Sequence, residues 1–272
     1  MQPTISLKKG SDPEILDRVI VTGRVPFPRP GHKVHVRVTR DGRKAFAYRL
    51  RTDRFTGRYR MRLKLRGCCE YMVQAADSSG RSAAVRFEVG VPSELEAGRQ
   101  AALFNQLLRA SGFHMDRVTD EPDEATGLAI MALRKTHELP LSEDYSPELF
   151  NLLLSGDAAF EPVQTADGRH VEVDVSRQVM ALVEDGKATD VFHVSTGAGG
   201  TPRGQWSFYS KAPGYNAKGM YYSIFYDGEY ATHGYSSVPT YPASHGCTRN
   251  PIPYSVFIYD WISLGDEIYV YD

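Results

Sequence analysis

Strict alternation of polar and apolar residues dominates the first third of the chain. Residues 33–39 (Lys-Val-His-Val-Arg-Val-Thr) and 58–66 (Arg-Tyr-Arg-Met-Arg-Leu-Lys-Leu-Arg) place an apolar side chain at every second position. That period is typical of strands with one buried face, and Asp-Gly at 41–42 and Ser-Gly at 79–80 are turn signals between such runs. The pattern predicts a β-sandwich over residues 1–91.

From Pro92 onward the spacing of apolar residues changes to three and four, which is the period of an amphipathic helix. Ser93 is a capping residue, and Pro147 stands where the first turn of a helix tolerates proline. We predict a small helical module over residues 92–158, with three short helices at 101–109, 124–138 and 146–154.

Residues 159–272 return to strand-like runs that are rich in valine, tyrosine and glycine. A short helix is predicted at 254–262, and a last strand at 267–271. The fold class expected for the chain is therefore mainly β and multidomain: an N-terminal β-sandwich, a three-helix module and a C-terminal β-rich domain.

A net charge of −1 conceals a strong division of charge along the chain. Residues 1–90 hold 20 Lys and Arg against 8 Asp and Glu, a net of +12, whereas residues 91–272 carry −13. Alternation places five cations on one strand face: Arg58, Arg60, Arg62, Lys64 and Arg66. Such a stripe suits an anionic polymer, nucleic acid or the acidic remainder of this chain, or it is a solvated sheet face.

The overall composition is that of a globular protein, because 42% hydrophobic and 24% charged residues exclude disorder. No segment approaches the eighteen or so apolar residues of a membrane span. The first ten residues lack the apolar core of a signal peptide, and we expect that an export signal has been removed. Adjacent Cys68 and Cys69 are interpreted as packing residues.

The third cysteine, Cys247, lies in a polar loop that is rich in glycine and proline. A nucleophilic cysteine needs an imidazole to take its proton, and neighbouring N–H groups or cations to favour the thiolate. His233, His245, Gly246 and Arg249 supply all of these within residues 231–250. The sequence therefore predicts the chemistry in this loop.

Residues 244–249 (Ser-His-Gly-Cys-Thr-Arg), with Thr-His-Gly at 232–234, resemble the signature of the L,D-transpeptidase (YkuD-type) family. These cysteine enzymes cross-link bacterial peptidoglycan. Ser-Thr-Gly at 195–197 and Thr-Pro-Arg-Gly-Gln-Trp at 201–206 resemble further parts of the family pattern. The resemblance covers roughly residues 161–272 and implies a catalytic domain at 159–272.

Two weaker resemblances concern the rest of the chain. Residues 78–89 resemble the last hairpin of bacterial immunoglobulin-like modules, and the three predicted helices resemble a peptidoglycan-binding module. The loop before the second helix, residues 115–124, lacks the glycine usual in that module, so a spacer role is equally open. The expected domains are 1–91, 92–158 and 159–272.

The family resemblance implies a role for each residue of the loop. Cys247 would be the nucleophile and His233 the general base, with its ring held in one tautomer by the carbonyl of Gly234. Main-chain N–H groups around Gly246 and Cys247 would form the oxyanion hole, because glycine lets the main chain approach the substrate. Ser244 and His245 are expected to shape the loop.

Arg249, Asn250 and Tyr222 are the candidate substrate-binding residues. Arg249 is alternatively a structural ion-pair partner, and Tyr222 belongs to a tyrosine-rich run that is a substrate-covering flap or ordinary packing. His233, His245 and Cys247 would suit zinc, but the spacing lacks a paired metal motif and a fourth ligand. We expect no metal and no cofactor.

The function implied is that of a peptidoglycan L,D-transpeptidase, which would form a thioester with a stem tetrapeptide, release D-alanine and make 3→3 cross-links. An L,D-carboxypeptidase and a non-catalytic wall-binding or scaffolding protein are the alternatives. The expected location is extracytoplasmic, in the cell wall or periplasm. The expected partners are peptidoglycan stem peptides and, through the basic N-terminal module, an anionic wall polymer, with no nucleic acid.

Overall fold

The computed structural model describes residues 1–10, 12–165 and 167–272, and the chain divides into two compact units, Met1–Glu94 and Leu95–Asp272. Strands are the main element of each unit, so the predicted mainly β class is confirmed. Of the helices in the described ranges, none has the length and apolarity that crossing a membrane requires.

The first unit is an antiparallel sandwich of two sheets, with strand orders β1-β2-β5 and β4-β3-β6-β7, in which β8 also pairs with β6. Its strands are β1 (Thr4–Lys8), β2 (Arg18–Arg24), β3 (Lys33–Arg40), β4 (Arg43–Arg51), β5 (Arg58–Lys64), β6 (Cys69–Asp77), β7 (Gly80–Arg81) and β8 (Val85–Val89). In β3 and β5 alternate side chains are buried, and these apolar side chains join one core with those of β6. The likeness to immunoglobulin modules stays a prediction.

The interpretation of Cys68 and Cys69 as packing residues is wrong. The structure joins them in a disulfide, with the Cys68 side chain half-buried and Cys69 exposed. Cys247 is the free cysteine of the described residues.

The second unit opens with three helices, α1 (Arg99–Ala110), α2 (Glu124–Thr136) and α3 (Pro147–Ser155). A capping box starts α2, because Asp123 accepts the N–H of Thr126 while the Thr126 hydroxyl accepts the N–H of Asp123. Helix α3 ends at Gly156 with φ 86°, a left-handed C-cap that suits glycine. All three predicted helices are present, with ends within two residues of those expected.

Two sheets follow in the same unit, a five-stranded one ordered β11-β10-β9-β17-β12 and a four-stranded one ordered β13-β14-β15-β16. The elements are β9 (Arg169–Asp174), β10 (Val179–Glu184), β11 (Lys187–His193), β12 (Gly204–Ser207), β13 (Ser210–Tyr215), β14 (Tyr221–Asp227), β15 (Tyr230–Tyr235), β16 (Thr248–Pro251), α4 (Ile252–Trp261) and β17 (Glu267–Tyr271). The apolar faces of both sheets and of α4 share one core. The predicted helix at 254–262 and last strand at 267–271 are confirmed.

Helix α2 is attached to the strands by a buried lysine. Lys135 is 3% exposed, and its Nζ donates to the carbonyl oxygens of Val194 at 2.9 Å and Gln178 at 3.2 Å. Helices α1 to α3 therefore belong to the same compact unit as the strands that follow, and the predicted boundary at 158/159 stays a prediction.

Burial of Lys135 predicts a pH-dependent stability. Burial lowers its pKa from 10.5 to about 7, so between these values the unfolded chain holds a proton that the folded chain releases. The free energy of unfolding should rise with pH across this window, by up to about 1.4 kcal/mol per pH unit. In Lys135→Met this rise should disappear.

Urea unfolding from pH 7 to 10 measures the effect. The control is Lys187→Met, which removes an exposed lysine on β11 of the same unit and should keep the wild-type slope. Equal slopes for wild type and Lys135→Met would show that the buried ammonium does not control stability.

Candidate active site

The parallel pairing of β15 with β16 brings the histidine and the cysteine together. Thr232 pairs with Thr248 and His233 with Arg249, and Cys247 immediately precedes β16. Because side chains alternate along a strand, Cys247 and Arg249 share one face with His233. Strand pairing thus groups residues that are fourteen or more positions apart in the chain.

These three side chains line a cavity of about 710 Å³. The cavity collects most of the residues predicted for the site together with several that were not predicted. Its lining residues are Lys218, Met220, Glu229, Tyr230, His233, Tyr235, Ser244, His245, Cys247 and Arg249.

Cys247 is half-buried, and its thiol donates a weak hydrogen bond to the carbonyl of Glu229 at 3.7 Å. Burial raises the pKa of this thiol, against the opposing influence of the Ala231 N–H and of the cations Lys218 and Arg249. The cysteine therefore rests as a thiol and must lose its proton in order to attack.

His233 is positioned to accept that proton in its neutral form. Its Nδ1–H donates to the carbonyl of Gly234 at 2.9 Å, which leaves the lone pair on Nε2. Burial and, to a smaller extent, the charge of Arg249 lower the pKa of His233 to about 4, against the opposing influence of the Gly234 hydrogen bond. The ring is therefore a free base at neutral pH, held by the carbonyl that the resemblance implied.

Ser244 closes the nucleophile loop on itself. Its Oγ donates to the carbonyl of Cys247 at 2.6 Å and accepts the N–H of Gly246 at 3.0 Å. Of the two N–H groups expected in an oxyanion hole, that of Gly246 is thus already engaged by Ser244. None of the hydrogen bonds found among the described residues uses the N–H of Cys247.

Gly246 is required by two constraints. Its φ of +132° lies in a region that other residues rarely adopt, and an added Cβ would overlap the ring of Tyr230. The loop therefore passes so close to Tyr230 that only glycine fits.

The Ser-Thr-Gly turn at 195–197 supports this loop from behind. The carbonyl of Thr196 accepts the N–H groups of Ala243 at 2.9 Å and Ser244 at 3.0 Å. Thr201 Oγ1 accepts the Gly197 N–H at 2.9 Å and donates to the carbonyl of Gly246 at 2.8 Å. The sequence marked these residues only as part of the family pattern, without a role. In the structure, their hydrogen bonds hold the nucleophile loop in place.

Two cations, Arg249 and Lys218, line the cavity. The Arg249 guanidinium lies 4.1 Å from the centre of the Tyr235 ring, a cation–π contact in place of the ion pair considered for it. Lys218 pairs with Glu229 at 3.0 Å, and His245 is exposed at the rim. Lys218, Glu229 and Tyr235 were not predicted, because no motif marks them.

Tyr222 and Asn250, both predicted to touch substrate, lie away from the cavity. Tyr222 packs edge-on against the rings of Tyr221 and Tyr259, with centroids 4.7 and 4.9 Å away. Asn250 is 1% exposed and accepts the Ser255 hydroxyl at 2.8 Å. Asn250 is turned away from the cavity because successive side chains of β16 alternate, so Asn250 points to the face opposite Arg249. Tyr230, from the same tyrosine-rich run, does line the cavity.

The zinc alternative requires several metal-binding side chains grouped around one point. Across residues 1–10, 12–165 and 167–272, no group of three or more His, Cys, Asp or Glu side chains has the arrangement to hold a metal ion. A thiol, a neutral imidazole, a main-chain N–H and two cations instead suit acyl transfer to sulfur.

A family model for the YkuD L,D-transpeptidase catalytic domain matches residues 168–270. Among solved structures, an L,D-transpeptidase from Xylanimonas cellulosilytica is 27% identical with a TM-score of 0.61, over 67% of this chain and 98% of that one. Residues 168–270 are an L,D-transpeptidase catalytic domain.

More distant matches are an L,D-transpeptidase from Stackebrandtia nassauensis (21% identity, TM-score 0.42, 67% of this chain and 98% of that one) and one from Mycobacterium smegmatis (12%, 0.34, 99% of each). No curated protein matched the chain. Cys247, His233 and the turn that supports their loop all lie within the family match.

Replacing Gly246 by alanine should disable the transpeptidase domain. Strain at positive φ costs about 1–3 kcal/mol, and displacing the loop by about 1 Å should reduce turnover by about 100-fold. Gly199→Ala is the control, because its Cβ would meet nothing within 4 Å and its φ is not positive. The rate of D-alanine release from a disaccharide-tetrapeptide and the melting temperature are measured for both variants. A wild-type rate in Gly246→Ala would contradict the loop geometry described above.

Proposed function

We propose that this protein is a peptidoglycan L,D-transpeptidase in which Cys247 forms a thioester with a stem peptide. The observation that carries the proposal is the shared cavity of Cys247 and His233, in which the imidazole is a neutral base with its lone pair on Nε2. The family match of residues 168–270 supports the reaction class.

In the proposed first step, Cys247 Sγ attacks the carbonyl carbon of the third stem residue, in the bond to D-alanine, while its proton passes to His233 Nε2. The oxyanion that forms accepts a hydrogen bond from the N–H of Cys247. The C–N bond to D-alanine then breaks, and His233 returns the proton to the leaving amine. The products are a thioester and free D-alanine.

In the second step, the side-chain amine of another stem peptide attacks the thioester carbonyl. The C–S bond breaks, the proton of the amine passes through His233 Nε2 to the Cys247 sulfur, and the thiol is restored with a 3→3 cross-link formed. Water in place of the amine would make the protein an L,D-carboxypeptidase. The intact pairing of thiol and base argues against a purely scaffolding role.

The cations of the cavity suit the charge of such a donor. Stem peptides carry free carboxylates, and the guanidinium of Arg249 and the ammonium of Lys218 both line the cavity. We assign Arg249 to a substrate carboxylate, with the Tyr235 ring holding its guanidinium plane. A peptidoglycan substrate places the protein outside the cytoplasm, with the basic first unit in contact with an anionic wall polymer.

Changing Cys247 to alanine should abolish turnover and leave the fold intact, because the covalent step is lost with little packing. The assay incubates the protein with a disaccharide-tetrapeptide and resolves cross-linked dimers, tripeptide and D-alanine by mass. Dimers indicate transfer, tripeptide alone indicates hydrolysis, and D-alanine release by the alanine variant would exclude the mechanism.

The matched control is the double change Cys68→Ser and Cys69→Ser. It removes the disulfide of the first unit and should leave turnover near that of wild type. A large loss in this variant, with the melting temperature unchanged, would assign those cysteines a role in the reaction.

A carbapenem should acylate Cys247, because a strained β-lactam carbonyl is an acyl donor for a thiol, and the acylation rate should depend on the protonation state of His233. Because its pKa is lowered to about 4, the ring stays a base as pH falls from 7 to 5 and is protonated only near pH 4. Acylation should therefore persist well below pH 6.5, where an unperturbed histidine titrates. His233→Ala should slow it by about 10²–10⁴-fold.

Mass spectrometry of the adduct against pH makes this measurement. A fall in rate centred near pH 6.5 would contradict a neutral, buried base. Labelling that begins only after a chelator removes stoichiometric zinc would favour the metal alternative.

A further inference from the structure

One face of the sheet β1-β2-β5 in the first unit carries seven cations among neutral residues. Register pairs Arg24 with Arg58, Thr22 with Arg60, Ile20 with Arg62 and Arg18 with Lys64, and β1 extends the rows with Thr4, Ser6 and Lys8. The opposite side chains, such as Val19, Val21, Tyr59, Met61 and Leu63, are buried in the core. We call the seven cations the arginine face: Lys8, Arg18, Arg24, Arg58, Arg60, Arg62 and Lys64.

No carboxylate balances this face. The three strands contain no Asp or Glu, and within the described part of the chain no ion pair involves any of the seven cations. Like charges this close repel one another, so the arrangement is stabilised when an anion binds.

A groove runs across one end of the arginine face. It has a volume of about 660 Å³ and is lined by Thr4, Ser6, Thr22, Gly23, Arg24, Arg51, Arg58, Tyr59 and Arg60. Four guanidinium groups thus surround hydroxyl groups, of which those of Ser6 and Thr22 lie 2.9 Å apart. Arg51 comes from β4 of the other sheet, so both sheets contribute cations to the groove.

This chemistry suits phosphate groups. A guanidinium offers two parallel N–H donors that match phosphate oxygens, and hydroxyl groups add further donors between them. Alternate residues of a strand lie about 6.6–6.8 Å apart, so Arg58, Arg60 and Arg62 form a row with a regular spacing. A regular row of this kind suits a linear chain of phosphates better than a single ion.

The groove lacks the feature by which proteins hold single-stranded nucleic acid. Such sites stack bases on exposed aromatic rings. The one aromatic residue in the lining is Tyr59, which is 4% exposed and donates its hydroxyl to the carbonyl of Thr4 at 2.5 Å. A polyol phosphate chain, which has no bases to stack, fits this surface.

We propose that the arginine face binds a linear polyol phosphodiester, with successive phosphates in the groove and along β5. The proposed function includes contact between the first unit and an anionic wall polymer, and this inference specifies that polymer as a polyol phosphodiester. It depends on the first unit alone, so it does not require the catalytic assignment to be correct.

The test measures binding of the full-length protein to fluorescently labelled poly(glycerol phosphate) by anisotropy across a salt series. The triple variant Arg24→Gln, Arg58→Gln and Arg60→Gln should bind at least about tenfold more weakly, with a salt dependence reduced by about two to three counterions. The control Arg37→Gln, Arg43→Gln and Arg81→Gln removes the same charge from exposed positions elsewhere on the unit and should stay within about threefold of wild type.

Two competitors separate phosphate from other sources of charge. Poly-glutamate of equal charge and a single-stranded oligonucleotide of equal phosphate number should each bind several-fold more weakly than poly(glycerol phosphate). Equal binding of poly-glutamate, tighter binding of the oligonucleotide, or an equal loss in both triple variants would overturn the proposal.

D-alanine release from a soluble disaccharide-tetrapeptide is measured on the same samples. It should be unchanged in the groove variant, because none of its three arginines lines the catalytic cavity. Lost polymer binding with normal turnover supports the inference, and a wild type that binds polymer without any turnover would defeat only the catalytic proposal.

Discussion

The active site depends on the register of one parallel strand pair. A shift of β16 against β15 by one residue would turn Cys247 to the opposite face from His233, since side chains alternate. The register is secured on the buried side, where Asn250 Nδ2 donates to the Thr232 hydroxyl at 3.4 Å and Asn250 Oδ1 accepts from Ser255. On the other edge of β16, Ser195 and Arg249 exchange two main-chain hydrogen bonds of 2.9 Å. Asn250 therefore serves the site without touching the cavity.

Burial gives the thiol and the imidazole opposite pKa shifts that lead to the same resting state. The pKa of Cys247 is raised and that of His233 is lowered, so both groups are neutral at pH 7. A neutral pair has no salt bridge to break before a proton moves, and the base is available whenever the thiol meets a carbonyl. Arg249 acts on both groups: its charge disfavours protonated His233, which supports the neutral resting state, and it stabilises the thiolate that forms during the reaction.

Features set by local sequence patterns were predicted, and features that depend on contacts between distant segments were not. Alternation and helical spacing are local, so the strands at 33–39 and 58–66 and helices α1 to α4 were predicted. The loop around Cys247 carries a motif, so Ser244 was expected to shape it, whereas Thr196 and Thr201, which hold it from behind, had no predicted role. Lys218 and Glu229 reach the cavity only through strand pairing, and the sequence holds no local sign of that. Only the cations of β5 were predicted as a stripe. Pairing of β2 with β5 and of β1 with β2 adds Arg18, Arg24 and Lys8 to the same face, and the sequence holds no local sign of this pairing.

Lys135 shows why the helices at 99–155 bear on the catalytic domain. Its ammonium bonds the carbonyl of Gln178, whose side-chain amide in turn accepts the Thr196 N–H at 2.8 Å and donates to the Thr196 hydroxyl at 2.6 Å. Thr196 carries the carbonyl that holds the nucleophile loop. Burying a lysine is costly unless its donors are satisfied, so loss of these carbonyls would expel the ammonium and loosen the turn. This chain of hydrogen bonds connects helix α2 to the turn that holds the nucleophile loop.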